Sequence, residues 1–170
     1  MILGRSGSGK STLAFKLSEI ACQSKMVLVF DCFLSESWNC DIIFDDIEEF
    51  RLALERYQDC TVFIDEAGAT LNKFDNNHNW IATTSRHYGH RVYFVGQRWS
   101  QFSPIIRANC SSVFTFDQPR IDIEKLELDY GVTLDKEIPR FNCYWLRNFH
   151  TPIKLHIENG RLQQGWKVLE

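Results

Sequence analysis

The chain has no apolar run near the ~20 residues that a membrane-spanning helix needs, and nothing in it resembles a secretory signal. It also has no Cys-x-x-Cys pair. The six cysteines, at 22, 32, 40, 60, 110 and 143, are scattered, several of them in apolar segments. That excludes a disulfide framework or a zinc site and predicts reduced thiols in a cytosolic compartment. There is no surplus of positive charge, since 19 Lys and Arg face 22 Asp and Glu for a net −3. Contact with nucleic acid would therefore need a local patch or a surface shared between subunits. Repeats, low-complexity tracts and linkers are missing too. What is present is an ordinary globular composition, 44% hydrophobic and 24% charged over 170 residues. One domain of that length buries about 70% of its unfolded surface.

The most specific pattern is Gly4-Arg5-Ser6-Gly7-Ser8-Gly9-Lys10-Ser11-Thr12, which fits G-x-x-x-x-G-K-[ST] at every position. Binding a triphosphate requires many donors close together and little side-chain bulk in the way. The glycines let the backbone curl so that its N–H groups face phosphate oxygens. Lys10 is placed to reach the β- and γ-phosphates, and the Ser11 hydroxyl to complete the shell of a Mg²⁺ ion. The run from Thr12 to Leu17 then reads as a helix, whose N-terminus adds positive potential where the phosphates sit. A Gly/Ser-rich linker is the plain alternative, and the amphipathic helix that follows at once argues against it.

Short apolar runs alternate with amphipathic stretches. Met1-Ile2-Leu3 is a stub of the strand that feeds the loop, and a helix is expected over 10–23. Strands are expected at 26–31, 60–65, 91–96 and 112–116, helices at 45–57, 80–88 and 102–108, and a loop at 33–39. Continuous apolar runs suit strands buried on both faces. Right-handed crossovers then give an α/β fold, a mostly parallel sheet with helices on both faces. Beyond Asp117 the pattern predicts a helix over 119–130 ended by Gly131, a strand at 142–146, and a hairpin of 153–157 and 164–169 joined by Glu158-Asn159-Gly160. The chain is thus expected to be one domain over 1–170, with a nucleotide-binding core at 1–116 and an extension at 117–170 that completes or covers the sheet.

A second motif, Thr61-Val62-Phe63-Ile64-Asp65-Glu66, carries an acid to the carboxyl edge of a central strand. There Asp65 can hold Mg²⁺ through water, opposite Ser11. Glu66 occupies the place of the acid that orients and polarises the attacking water in hydrolytic P-loop enzymes. Paired acids after a strand are common; the phosphate loop about 55 residues upstream gives these their chemical meaning. Gln97 ends the strand next to that of Asp65, and its amide, both donor and acceptor, can sense whether a γ-phosphate is present. Its plain alternative is a polar loop residue. Arg86 and Arg107 are arginine-finger candidates, each against an ordinary surface ion pair. His87 and His90 are spaced like metal ligands, but with no companion acid or cysteine they read as solvated or packed.

Two patterns imitate a GTPase. Asp65-Glu66-Ala67-Gly68 matches D-x-x-G, and Asn72-Lys73-Phe74-Asp75 matches the N-K-x-D that reads guanine. The spacing defeats them, because a guanine-reading motif ten positions after Asp65 cannot swing across the sheet to a base over the phosphate loop. A small-molecule kinase would need an arginine-rich lid and an acceptor pocket, and neither is evident.

The phosphate loop, the segment Phe63 to Gly68, the Arg86-x-x-Gly89 turn, the strand ending at Gln97-Arg98, and Ile105-Ile106-Arg107-Ala108-Asn109-Cys110 together resemble the FtsK–HerA group of DNA-pumping ATPases. The likeness covers roughly residues 1–116 and, within the group, is greatest to viral genome-packaging ATPases. Members carry more chain before the loop. The resemblance implies a three-layer P-loop NTPase of the additional-strand, RecA-like type. It implies a homo-oligomeric ring, usually a hexamer, that threads double-stranded DNA without sequence preference. Lys10, Ser11 and Asp65 would hold MgATP, Glu66 would activate water, and Gln97 would sense the γ-phosphate. An arginine from the neighbouring subunit would complete the site, Arg86 first and Arg107 second. Lys73, Arg98 and His78 are candidate pore contacts, with the polar loop 72–79 as a pore loop or a surface turn. A capsid or portal protein would be the partner, and the site of action the host cytoplasm or a packaging vertex of the virion. The Arg86-His87-Tyr88-Gly89-His90 wording is also similar to Zot-like phage assembly ATPases, which act on single-stranded DNA and normally carry a membrane span after the ATPase domain. A non-hydrolytic nucleotide-binding interaction module is the third alternative.

Overall fold

A computed structural model of the chain describes residues 1–67, 79–158 and 161–165. Its strands are β1 (Ile2–Leu3), β2 (Val27–Phe30), β3 (Ile42–Phe44), β4 (Thr61–Ile64), β5 (Arg91–Gly96), β6 (Ser112–Thr115), β7 (Asn142–Arg147), β8 (Ile153–Glu158) and β9 (Arg161–Gln164). The helices are α1 (Lys10–Ala21), α2 (Ile47–Arg56), α3 (Trp80–Thr84), α4 (Pro104–Asn109) and α5 (Arg120–Tyr130). Turns of 3₁₀ helix lie at Ser85–Tyr88 and Trp99–Gln101. The nine strands form one sheet in the order β3-β2-β4-β5-β1-β6-β7-β8-β9. Neighbours are parallel from β3 through β6, and β7, β8 and β9 add on antiparallel. This is the mostly parallel, three-layer α/β architecture that the sequence predicts.

Strand side chains point alternately to opposite faces, so each face has its own core. Ile2, Val27, Val29, Phe63 and Val95 pack with Leu13 and Ala14 of α1. Leu3, Leu28, Phe30, Val62, Ile64 and Phe94 pack on the other face with Phe50 of α2, Ile81 of α3, Ile106 of α4 and Leu126 of α5. β2 and β4 are buried along their whole length, which is why they read as unbroken apolar runs. Each such side chain contributes roughly 1.5–3 kcal/mol by leaving water. The helix ends are equally local in origin. The Asp46 carboxylate caps α2 by accepting from the Glu48 and Glu49 N–H groups at 2.9 Å. The Ser103 hydroxyl caps α4 just before Pro104, and Gly131 stops α5 at φ 63°.

Three expectations change. β3 lies in a stretch not expected to be a strand; it pairs parallel with β2 at the sheet edge, and its three half-buried residues are too few to show a period. The helix expected over 80–88 tightens to 3₁₀ geometry from Ser85 and ends at Gly89, φ 78°. The second hairpin strand begins at Arg161, not 164, because Glu158 pairs directly with Arg161 across a short connection. β9 is exposed throughout, so no apolar alternation marks it. Gly68, the Asn72-Lys73-Phe74-Asp75 pattern, His78, the Asn159-Gly160 turn and positions 166–169 lie outside the described residues.

Candidate nucleotide site

The phosphate loop leaves β1 between two strands that fix it on either side. Gly4 N–H donates to the Gly96 carbonyl at the end of β5 (3.2 Å), and Arg5 N–H to the Asp117 carbonyl beyond β6 (3.0 Å). A Cβ on Gly4 would stand 2.6 Å from Phe116 Cβ and 2.5 Å from Ser8 Oγ, so only glycine fits this approach. Gly9 adopts φ 111°, and Leu13 N–H closes on its carbonyl (3.0 Å) as the helical ladder of α1 begins. Ser8 N–H donates to the Arg5 carbonyl (3.2 Å), but the N–H groups in the first turn of α1 have no preceding turn to bond, which leaves the helix start as an anion cradle. Ser6, Gly7 and Thr12 are exposed there, Ser11 is half-buried, and Lys10 is buried. Arg5 turns aside onto the Asp117 carboxylate (3.2 Å).

The strand order decides what faces this cradle. β5 lies between β4 and β1, so the residues after β4 and after β5 arrive beside the loop at the same carboxyl edge. Asp65 N–H donates to the Phe30 carbonyl (2.9 Å), which anchors Asp65 at the end of β4. Its Oδ1 accepts from Glu66 N–H (2.8 Å). Burial pushes the Asp65 carboxyl above the usual range; the Glu66 N–H works against that rise, Asp31 and Glu66 add to it, and Lys10 opposes it. Glu66 sits at φ 45°, a left-handed conformation that turns its side chain toward β5. There Gln97 Nε2 meets Glu66 Oε2 at 3.4 Å. Glu66 and Gln97, distant in sequence, thus face each other.

Ser11 and Asp65 offer a hydroxyl and a carboxylate, the hard oxygen donors that suit Mg²⁺. The upward push on Asp65 marks a carboxylate that a nearby cation would stabilise. Among the described residues no group of three or more His, Cys, Asp or Glu could hold a metal by protein ligands alone. Two such donors would leave most of a Mg²⁺ shell to bound phosphates and water.

The remaining candidates separate. Arg86 is exposed on the 3₁₀ turn before β5, at the amino edge of the sheet, beside a cleft of about 650 Å³ lined also by Lys25, Arg91 and Asn109. β5 runs between it and the phosphate-loop edge, a span of roughly 17 Å. Arg107 is engaged within the chain: its Nη1 lies 3.7 Å from Asp129 Oδ2 and its guanidinium rests on the Trp99 ring. Arg98 bonds through Nε to buried Asp122 (2.8 Å). His90 is a packed residue. Its Nδ1 accepts from Cys60 N–H (3.2 Å), so Nε2 carries the proton and donates to the Leu54 carbonyl (2.9 Å). His87 is exposed.

Two features escape the sequence. Asp31 closes β2 as Asp65 closes β4, and it is buried where it accepts from Phe33 N–H, Ser35 N–H and the Trp38 indole. Trp38 in turn packs on Phe15 of α1 and Phe63 of β4, tying the 31–39 segment to the phosphate-loop helix. The visible signal was an apolar run ending in an acid. The second feature is the entry to β7, where Arg140 and Phe141 bond the phosphate loop itself. No local pattern announces that contact.

No protein-family model matches the chain, and no curated protein matches it. Among solved structures, it shares its fold with B204, the DNA-packaging ATPase from Sulfolobus turreted icosahedral virus, at TM-score 0.69 and 16% identity over 91% of this chain and 94% of that one. The genome-packaging NTPase B204 of Sulfolobus turreted icosahedral virus 2, in complex with AMPPCP, superposes at TM-score 0.67 and 16% identity over 91% and 94% of the two chains. The pCW3 conjugation coupling protein TcpA, with ATPγS, superposes at TM-score 0.61 and 15% identity over 91% of this chain and 58% of its own. At these identities the likeness is one of fold, and it agrees with the resemblance that the motifs carry.

Proposed function

We propose that this chain is a DNA-translocating ATPase of the FtsK–HerA group that packages viral double-stranded DNA. The observation that carries the reading is the meeting of Glu66 and Gln97 at 3.4 Å on the edge that holds the phosphate loop. The fold shared with a DNA-packaging ATPase supports it. In this reading the loop N–H groups and Lys10 bind the phosphates of ATP. Ser11 and Asp65 would hold Mg²⁺, which when bound offsets phosphate charge. Glu66 accepts a proton from the attacking water as that water adds to the γ-phosphorus, and ADP leaves. Gln97 hydrogen-bonds Glu66 and registers loss of the γ-phosphate. Arg86, which the length of β5 separates from its own loop, takes the role that the motif resemblance gives it, serving a neighbouring subunit. Arg107, stacked on Trp99 and paired with Asp129, supports the fold of its own chain. The assembly is a homo-oligomeric ring, hexameric by analogy, working in the host cytoplasm or at a packaging vertex with a capsid or portal protein.

The test is steady-state ATP hydrolysis with and without DNA. Glu66→Gln should retain nucleotide and lose about 10²–10⁴ in rate, the range for a positioned base. Double-stranded DNA should stimulate the wild type more than single-stranded DNA. An unchanged rate in the Glu66 variant overturns the hydrolytic role, and stronger stimulation by single strands favours the phage-assembly alternative.

A further inference from the structure

The segment entering β7 reaches back across the sheet to the phosphate loop. Arg140 Nε donates to the Gly7 carbonyl at 3.0 Å. Phe141 N–H donates to the Ser8 carbonyl at 3.1 Å. The Phe141 ring closes over Gly9, where an added Cβ would stand 3.0 Å from Phe141 Cδ1. The Arg140 guanidinium lies over that ring, 4.7 Å from its centroid. Phe141 holds φ 60°, a left-handed conformation costly for an aromatic residue and retained only where its surroundings impose it. Two hydrogen bonds, a ring contact and a strained backbone thus converge on one result: a guanidinium fixed against the phosphate loop.

Its electrostatic setting is incomplete. Arg140 is exposed, and no ion pair joins it to a carboxylate among the described residues. Arg5, in the same loop, has Asp117, and Arg98 has Asp122. The Nε bond to Gly7 uses one of the five N–H donors of arginine. An exposed cation held at this loop without a protein anion is open to a bound one. Position defines which part of that anion it meets. Asp65, Glu66 and Gln97 approach from the β4 and β5 side, whereas Arg140 approaches from beyond β6. A phosphate chain whose γ end faces the acids extends its α end toward Arg140.

We infer that Arg140 is a phosphate-binding residue of the nucleotide site, its guanidinium meeting an α- or β-phosphate oxygen of a nucleoside di- or triphosphate on the side away from Asp65, with Phe141 as the platform that orients it. The inference rests on the nucleotide reading above. Arg140→Gln is the informative change, because glutamine places an amide nitrogen where arginine has Nε. The donor to Gly7 can persist while the cation is lost.

The experiment is calorimetric titration of wild type, Arg140→Gln and Lys10→Ala with ADP over a range of ionic strength. Arg140→Gln should bind ADP about tenfold to a hundredfold more weakly at low salt, the scale of a charge-assisted hydrogen bond. The ratio to wild type should shrink as salt screens the charge. A ratio near one, or one that stays constant with salt as a merely loosened loop would give, overturns the role of Arg140. Wild type that binds no ADP, or binds it as Lys10→Ala does, overturns the nucleotide reading instead.

Discussion

Asp122 is fully buried at the start of α5, where two donors meet its carboxyl group. Its Oδ2 accepts from Arg98 Nε and its Oδ1 from Ser100 N–H, each at 2.8 Å. Burial pushes its carboxyl up, but the hydrogen bonds from Ser100 and Arg98 together outweigh that and hold it below its ordinary 3.8. A carboxyl depressed in the folded state adds stability above its unfolded pKa and loses it as pH falls through the folded value. Asp122→Asn should therefore cost about 1–3 kcal/mol at neutral pH, measured by urea unfolding. The gap should narrow as pH falls below 3.8; a gap of equal size at low and neutral pH would contradict it. In the sequence Asp122 looks like any helix-surface acid, and Arg98 looked available to a pore. The pairing of a half-exposed guanidinium with a buried carboxylate is invisible there, because they are 24 positions apart on different elements. The turn geometry at Gly4, Gly7 and Gly9, by contrast, was legible in the sequence, since glycine spacing and backbone conformation are the same local property.

At the level of elements, helix starts follow from single caps. Asp46→Ala removes the acceptor for two N–H groups of α2 and should cost about 1 kcal/mol. In a domain of this size that lowers the melting temperature by roughly 2–4 °C. ADP affinity should be unchanged, because α2 packs on the sheet face opposite α1; a parallel loss of affinity would show that the layers are coupled. Amphipathic spacing, the Gly131 stop and buried apolar runs made most helices and the central strands readable. The edges were not: β3 and β9 lack a fully buried face, and burial is what prints a period into sequence. The hairpin register was misplaced for that reason, whereas β7, with Asn142, Cys143 and Tyr144 buried, stood out.

For the whole molecule, the amino-edge position of Arg86 leads to a subunit-mixing prediction. Arg86→Ala and Lys10→Ala should each be inactive alone if hydrolysis needs an arginine from the neighbour. Mixed in equal amounts within a ring, they should recover roughly a quarter of wild-type turnover, since half the sites keep Lys10 and half of those meet an intact Arg86. No recovery on mixing would remove the in-trans role. The sequence by itself determined the glycine-rich turn between β1 and α1, the acids that end β4, the alternation of strands and helices, and the burial of the central strands. All of these depend on residues within a few positions of one another, where backbone preference and side-chain period act directly. Only the tertiary structure decided that β5 separates β4 from β1, that Glu66 meets Gln97, that Arg107 is bound to its own chain, and that Arg140 lies on the phosphate loop. Those contacts join residues tens to more than a hundred positions apart. Strand order and register bring them together, and no local pattern encodes either.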